Sequence, residues 1–178
     1  MRLGQARNAA ILLVGCLLPA LSAAAADTTL VPVSANWKYL DNGSDQGTAW
    51  RTAGFNDGGW LSGPAQLGYG DGDEATVVNC GPSSTAKYIT TYFRNAFTVA
   101  DASAFASATL KLLRDDGAVV YLNGAEVFRS NMPDGPIAFN TLALLAVDES
   151  TFYEAAIPPA LLTAGPNVVA VEIHQINP

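Results

Sequence analysis

The sequence predicts an all-β protein built as an antiparallel β-sandwich, and two patterns carry this prediction. Strand-like runs recur at short intervals between turn residues, while helical periodicity is nearly absent. The 178 residues include 16 Gly and 10 Pro, too many chain-breaking residues for a helical bundle. Because 49% of the chain is hydrophobic and only 14% is charged, we exclude a disordered chain and expect one domain with a sizeable core.

The first 26 residues have the pattern of a secretory signal peptide. Two arginines precede an apolar run over residues 9–21, and three alanines supply a cleavage site after Ala26. The run is too short to span a bilayer comfortably. The alternative is a lipoprotein signal, because Leu-Val-Gly-Cys resembles a lipobox that would lipidate Cys16. Both interpretations predict a protein that is secreted, periplasmic or on the cell surface, with residues 27–178 as its folded domain.

The charge balance argues against two classes of partner. Nine Lys and Arg oppose 16 Asp and Glu, which gives a net charge of −7. Without a basic stretch, we expect neither nucleic-acid binding nor docking on an anionic lipid surface, and no transmembrane segment is predicted after the signal. Removal of the signal would leave Cys80 as the only cysteine. The core must then stabilise the domain without an internal disulfide, and Cys80 is assigned no role.

The clearest strand-like segments lie in the second half of the chain. In residues 88–99, Phe93 and Val99 fall on one face, and Tyr92 and Arg94 fall on the other. The other predicted strands are residues 108–112, 117–122, 125–129, 151–157 and 167–175.

Turn signals separate these strands. Asn123 and Gly124 predict a tight hairpin, because both residue types tolerate positive φ. Residues 102–105 and 160–163 predict single helical turns. Residues 42–82 are Gly-rich and predict a loop. Its aromatic side chains, which we expect to pin it onto the sandwich, are Trp50, Phe55, Trp60 and Tyr69.

Four segments together resemble the galactose-binding-domain-like jelly-roll sandwiches of exported bacterial proteins. They are WRTAGFNDGGW at residues 50–60, YFRNAF at 92–97, RDDGAVVYLNGAEV at 114–127 and NVVAVEIHQ at 167–175. The resemblance implies a jelly-roll fold. It also implies a place beside other domains, since such sandwiches accompany glycoside hydrolases, secreted metallophosphoesterases and lamin-tail or immunoglobulin-like surface proteins. Family members continue with one more strand, so the domain is expected to be truncated and to leave an unpaired sheet edge.

Residues with catalytic potential are sparse. His174 is the single histidine, and no HExxH, CxxC or GxSxG spacing occurs, so neither a di-metal centre nor a serine triad is predicted. Glu172 and His174 share one strand face, where they brace a loop or bind a ligand. One of Asp115 and Asp116 is expected to bond turn backbone, and Arg94 and Arg114 are expected to pair with such acids. The candidate ligand-binding residues are Arg94, Asp115, Asp116, Glu172 and His174.

Two acidic loops are candidates for a structural calcium ion. Residues 41–45 place oxygens at alternate positions, and Asp71, Asp73 and Glu74 form a compact cluster. Calcium takes six to eight oxygen ligands, and neither loop has the full EF-hand pattern. Calcium is therefore a hypothesis, assigned to the second loop, and no other cofactor is expected.

Carbohydrate binding would use aromatic faces together with polar groups. The candidate platforms are Trp37, Trp50, Trp60, Tyr69 and Tyr92. The leading hypothesis is a non-catalytic accessory module that binds glycan or supports a covalently linked catalytic domain. One alternative is the N-terminal part of a secreted metallophosphoesterase whose catalytic domain lies beyond Pro178. The other is a structural or adhesive cell-surface domain.

Overall fold

The larger layer of the protein is a six-stranded sheet. The computed structural model describes residues 27–70, 72–147 and 151–178. The strands in this part of the chain are β1 (Asn36–Leu40), β2 (Leu61–Pro64), β3 (Leu67–Gly68), β4 (Thr76–Val77), β5 (Thr90–Val99), β6 (Ala108–Leu112), β7 (Gly117–Leu122), β8 (Ala125–Ser130), β9 (Tyr153–Ile157) and β10 (Gly165–His174). Single 3₁₀ turns occupy Ala49–Arg51, Ala102–Ala104 and Pro159–Leu161.

The strand order in the six-stranded sheet is β2-β1-β5-β10-β7-β8, so β10 lies in its interior. All ten of its residues pair antiparallel with β5, and its second half pairs antiparallel with β7 on the other side. Because side chains alternate along a strand, Val171 and Ile173 point to one face of the sheet, while Glu172 and His174 point to the other. We call these the strand-covered face and the loop-covered face, after the segments that pack on them.

The strand-covered face carries the second layer of the sandwich. Strands β6 and β9 form a separate antiparallel pair, and β3 and β4 form a short parallel pair. Leu110 and Leu112 of β6 pack against a buried cluster that includes Phe93, Val120 and Val171 of the main sheet. This contact between two apolar sheet faces confirms the predicted antiparallel β-sandwich.

The loop-covered face is closed by irregular segments on either side of its centre. Trp50 is completely buried there, and its ring makes edge contacts with Tyr92 and Tyr121, with centroids 4.9 and 5.8 Å apart. Trp60 packs beside it, and Met132 comes from the segment after β8. The predicted role of the tryptophans in pinning residues 42–82 to the sandwich is confirmed.

Most strands of the second half match their predictions, and so does the hairpin. Asn123 and Gly124 have φ values of +52° and +91° between β7 and β8. The region before residue 88 was predicted less well. Strand β1 was not anticipated, and the predicted loop over residues 42–82 contains β2, β3 and β4. These strands are too short to show a periodic pattern in the sequence.

The expected unpaired edge at the final predicted strand is wrong. Because β10 lies between β5 and β7, both of its edges are hydrogen-bonded. The outer strands of the main sheet are β2 and β8. The predicted signal peptide, its cleavage site and Cys16 lie outside the described residues. No helix in the described part of the chain is long and apolar enough to cross a membrane.

Replacing Trp50 by Ala is expected to lower the free energy of unfolding by about 3–5 kcal/mol, because it empties the centre of the loop-covered face. Urea denaturation followed by circular dichroism measures the change. The matched control is Leu61→Ala, since Leu61 is 56% exposed and should change stability by at most about 0.5 kcal/mol. Equal effects of the two substitutions would contradict this placement of Trp50.

Candidate functional site

Glu172 of β10 is 2% exposed and lies at the centre of a buried polar group on the loop-covered face. Its Oε1 accepts hydrogen bonds from the Tyr121 hydroxyl at 2.7 Å and from Arg51 Nη2 at 3.4 Å. The Arg51 guanidinium also lies 4.2 Å from the Tyr121 ring centroid. A buried carboxylate is costly unless it is paired and hydrogen-bonded, and these two partners meet that requirement.

His174 is fully buried beside Glu172 and completes what we call the Glu172 cluster: Glu172, His174, Tyr121 and Arg51. Its Nδ1 lies 2.8 Å from the Thr141 carbonyl oxygen and 3.0 Å from the Thr90 hydroxyl. Because that hydroxyl donates to the Phe139 carbonyl, Nδ1 carries the proton. Nε2 lies 3.6 Å from Glu172 Oε2 and has no hydrogen-bond partner among the described residues. The predicted shared face is confirmed.

Arg94 of β5 is 3% exposed and binds the segment that carries Trp50. Its Nε donates to Asp57 Oδ2 at 2.8 Å, and its Nη1 donates to the carbonyls of Trp50 and Thr52. The guanidinium carbon also lies 5.2 Å from the Phe55 ring centroid. Arg94 therefore holds the segment that carries Trp50 against the main sheet.

Asp116 uses its carboxylate to bind backbone. Oδ1 accepts the Val147 N–H at 3.1 Å and Oδ2 accepts the Ile176 N–H at 2.9 Å. The backbone partners thus come from two remote segments and not from its own turn, because Asp116 lies beside the end of β10. The expected pairing of Arg94 and Arg114 with the Asp116 carboxylate is not found, because two backbone N–H groups occupy that carboxylate. Arg114 donates to the Asp116 carbonyl, and Arg94 pairs with Asp57 instead.

Asp115 is exposed and lines a cleft of about 320 Å³, which we call the end cleft. Lys87 precedes β5, Asp115 precedes β7 and Gln175 follows β10. Antiparallel neighbours bring these three positions to one end of the sandwich. The remaining lining residues are Tyr69, Gly70, Cys80 and Ser84.

The end cleft combines charged, amide and aromatic groups. Lys87 Nζ lies 3.4 Å from Gln175 Oε1 and 5.7 Å from the Tyr69 ring centroid. The Gln175 side-chain amide donates to the Asp115 carbonyl at 3.3 Å. The Tyr69 hydroxyl is buried without a hydrogen-bond partner among the described residues. Burial, reinforced by the nearby Cys80 and Asp115, raises the pKa of Tyr69 to about 12, so the phenol stays neutral and can donate.

The predicted aromatic platforms separate into two groups. Trp50, Trp60 and Tyr92 are buried, and Trp37 packs half-buried against the strand-covered face. Tyr69 is the member of this set that lines the end cleft. An exposed stacking surface is therefore not formed by the three buried rings.

The calcium hypothesis stays a prediction. Asp71 lies outside the described residues, Asp73 is exposed, and Glu74 Oε2 accepts the Gly72 N–H at 2.9 Å. In the other acidic loop, Asp41 Oδ2 accepts a backbone hydrogen bond at 2.6 Å. Across the described residues, no group of three or more His, Cys, Asp or Glu side chains is placed to hold a metal ion.

Several solved structures contain a part that is similar in fold to this chain. The chain aligns with Bifidobacterium dentium β-glucuronidase in complex with coumarin-3-O-glucuronide at a TM-score of 0.52 and 17% identity, covering 82% of this chain and 20% of that one. It aligns with Bacteroides uniformis β-glucuronidase at a TM-score of 0.54 and 17% identity, covering 83% of this chain and 14% of that one. With a β-glucuronidase from glycoside hydrolase family 2, the TM-score is 0.53 and the identity 16%, and the alignment covers 80% of this chain and 13% of that one. The chain is similar in fold to part of these glycosidases.

The chain spans between 13% and 20% of the length of these enzymes. At such low identity, the likeness shows the fold alone. No model of a protein family matches the chain, and no curated protein matches its sequence. The association with metallophosphoesterases that the sequence suggested gains no support from these comparisons.

Sequence reasoning missed four polar residues of these two regions: Arg51 and Tyr121 in the Glu172 cluster, and Lys87 and Gln175 in the end cleft. Arg51 follows a buried tryptophan, and the other three lie in or next to predicted strands. The sequence does not show the order of strands in the sheet. That order is needed to assign these four residues to a site, because it decides which strand ends and faces become neighbours.

Replacing Glu172 by Gln is expected to lower the free energy of unfolding by about 3 kcal/mol, because Arg51 loses its buried counter-charge. Tyr121→Phe removes one charge-assisted hydrogen bond and should cost about 1.5–3 kcal/mol. The double variant should lose less than the sum, which a double-mutant cycle in urea measures. Glu154→Gln is the control, since its pair with Lys111 is exposed and worth under about 1 kcal/mol. Strict additivity would show that Glu172 and Tyr121 do not interact.

Stability is expected to fall in alkali. Burial is the main cause that raises the pKa of Tyr69 and Tyr92 to about 12, and it raises that of Tyr121 as well. The unfolded chain releases these protons near pH 10, where the folded chain still holds them. The contribution of these three tyrosines to the free energy of unfolding is therefore complete below about pH 10 and is lost as the pH rises towards 12. Urea titrations between pH 8 and 11 test this, and a slope that Tyr92→Phe leaves unchanged would contradict it.

Proposed function

We propose that this chain is a non-catalytic, carbohydrate-related accessory module of a larger exported protein. The observation that carries the proposal is its likeness in fold to a part of β-glucuronidases that amounts to 13–20% of their length. Fold analogy alone does not establish function, so the contacts of the ionisable residues have to agree with it.

The buried ionisable residues support a role without catalysis. Arg94, Glu172 and His174 are at most 3% exposed, and each is engaged by side chains or carbonyls of the protein itself. A glycosidase needs two carboxyl groups that flank a substrate. Here Asp115 is exposed, whereas the Asp116 carboxylate is buried between two backbone N–H groups. The two acids therefore do not face a common site.

Two assays of the purified chain test this function. On a printed glycan array, we expect binding to at least one glycan and none by heat-unfolded chain. With 4-nitrophenyl glycosides and 4-nitrophenyl phosphate, we expect no hydrolysis. Release of nitrophenol from a glycoside would overturn the non-catalytic assignment, and release from the phosphate would favour the metallophosphoesterase alternative. An empty array would leave support of a neighbouring domain as the role.

The size of the natural protein tests whether this chain is a module of a larger exported protein. An immunoblot of fractionated source cells should show an exported band well above the 18.5 kDa of this chain. A band at or below that mass would contradict the larger parent protein, and a cytoplasmic band would contradict export.

A further inference from the structure

We propose that the end cleft binds a single neutral sugar residue, with Tyr69, Lys87, Asp115 and Gln175 as its contact groups. This inference rests on the proposed carbohydrate-related function and assigns it a site and a class of ligand. It uses one of the predicted ligand-binding residues, Asp115, and one of the predicted aromatic platforms, Tyr69.

The cleft offers the two kinds of contact that a sugar ring requires. Sugar C–H groups pack on aromatic faces, and sugar hydroxyls need donors and acceptors placed around the ring. Tyr69 supplies a half-buried ring at the cleft wall. The ammonium of Lys87 donates, the carboxylate of Asp115 accepts, and the amide of Gln175 does both. The three polar groups come from the neighbouring ends of β5, β10 and β7, and Lys87 brings this row of groups to within 5.7 Å of the Tyr69 ring centroid.

The Tyr69 hydroxyl provides an independent reason to expect a ligand. It is a buried polar atom that has no hydrogen-bond partner among the described residues. A buried hydroxyl without a partner costs roughly 1–3 kcal/mol. Tyr69 belongs to the cleft lining, so a bound ligand whose hydroxyl reached this atom and accepted from it would remove the cost.

The charges of the cleft favour a neutral ligand. Lys87 and Asp115 place opposite charges on its lining. A charged sugar would meet one of these groups with an opposite charge and the other with a like charge. A neutral sugar can hydrogen-bond to both groups through its hydroxyls without like-charge repulsion. The net charge of −7 on the chain opposes anionic ligands further.

The size of the cleft suits a ligand of about one sugar residue. Its volume of about 320 Å³ lies at the lower end of the range of about 300–1,000 Å³ for ligand pockets. A neighbouring cleft beside Gly43 and Tyr88 has about 170 Å³, below that range. The end cleft is therefore the better match in volume to one ring of a longer glycan.

Saturation-transfer NMR with defined probes tests the inference on the purified chain. The probes are the methyl glycosides of glucose, galactose, mannose and N-acetylglucosamine, with methyl glucuronide as the anionic comparison. At least one neutral probe should bind more tightly than methyl glucuronide. Asp115→Asn and Tyr69→Phe should each weaken it about tenfold, the loss expected for one charge-assisted or buried hydrogen bond.

The control variant is Asp134→Asn, because Asp134 is an exposed carboxylate that does not line the cleft. Its affinity should equal that of the unchanged chain, and thermal melts should show that all three variants are folded. Binding that both cleft variants retain would overturn the site but leave the carbohydrate function standing. Tighter binding of methyl glucuronide would overturn the neutral class. No binding of any probe would overturn the inference, and an empty glycan array as well would extend the failure to carbohydrate binding itself.

Discussion

A carboxylate and an imidazole lie inside the loop-covered face because β10 carries Glu172 and His174 through the centre of the sheet, and that face is arranged around them. Glu172 is satisfied by Tyr121 from β7 and by Arg51 from the segment after Trp50. The Nδ1 atom of His174 contacts the Thr141 carbonyl, which holds the segment after β8, and the Thr90 hydroxyl of β5. The irregular segments are therefore held by polar contacts as well as by apolar burial. Their conformation is fixed in part because they supply hydrogen-bond partners to Glu172 and His174.

The sequence predicted the strands that show a clear alternation and clear turns. Strands β6 and β7 have the predicted bounds, and β5, β8, β9 and β10 lie close to theirs. Strands β2 to β4 carry no such pattern, since their form depends on neighbours that are distant in sequence. Gly63 of β2 illustrates this, because a Cβ there would collide with the side chain of Thr76 in β4. That close approach explains the glycine, but the sequence alone shows only a residue typical of turns.

The same limit applies to the polar residues. The shared face of Glu172 and His174 follows from their spacing on one strand, and so does the separation of Asp115 from Asp116. The identity of their partners does not, because it requires the order β5-β10-β7 and the path of the loops. Lys87 and Gln175 meet beside Asp115 only because three antiparallel strands begin or end there. Charge and residue type therefore indicated which residues matter, while the strand order decided whether they are buried or line a cleft.

The position of β10 also affects when the domain acquires its fold. The strand between β5 and β7 is the last of the described strands to leave the ribosome, so the main sheet cannot assemble while only its earlier strands exist. Its pairing with β5 joins segments far apart in sequence, which gives the domain a high contact order and slows its folding. A chain that still lacks β10 would leave the inner edges of β5 and β7 without a partner, and exposed edges of this kind are where non-native strand pairing begins.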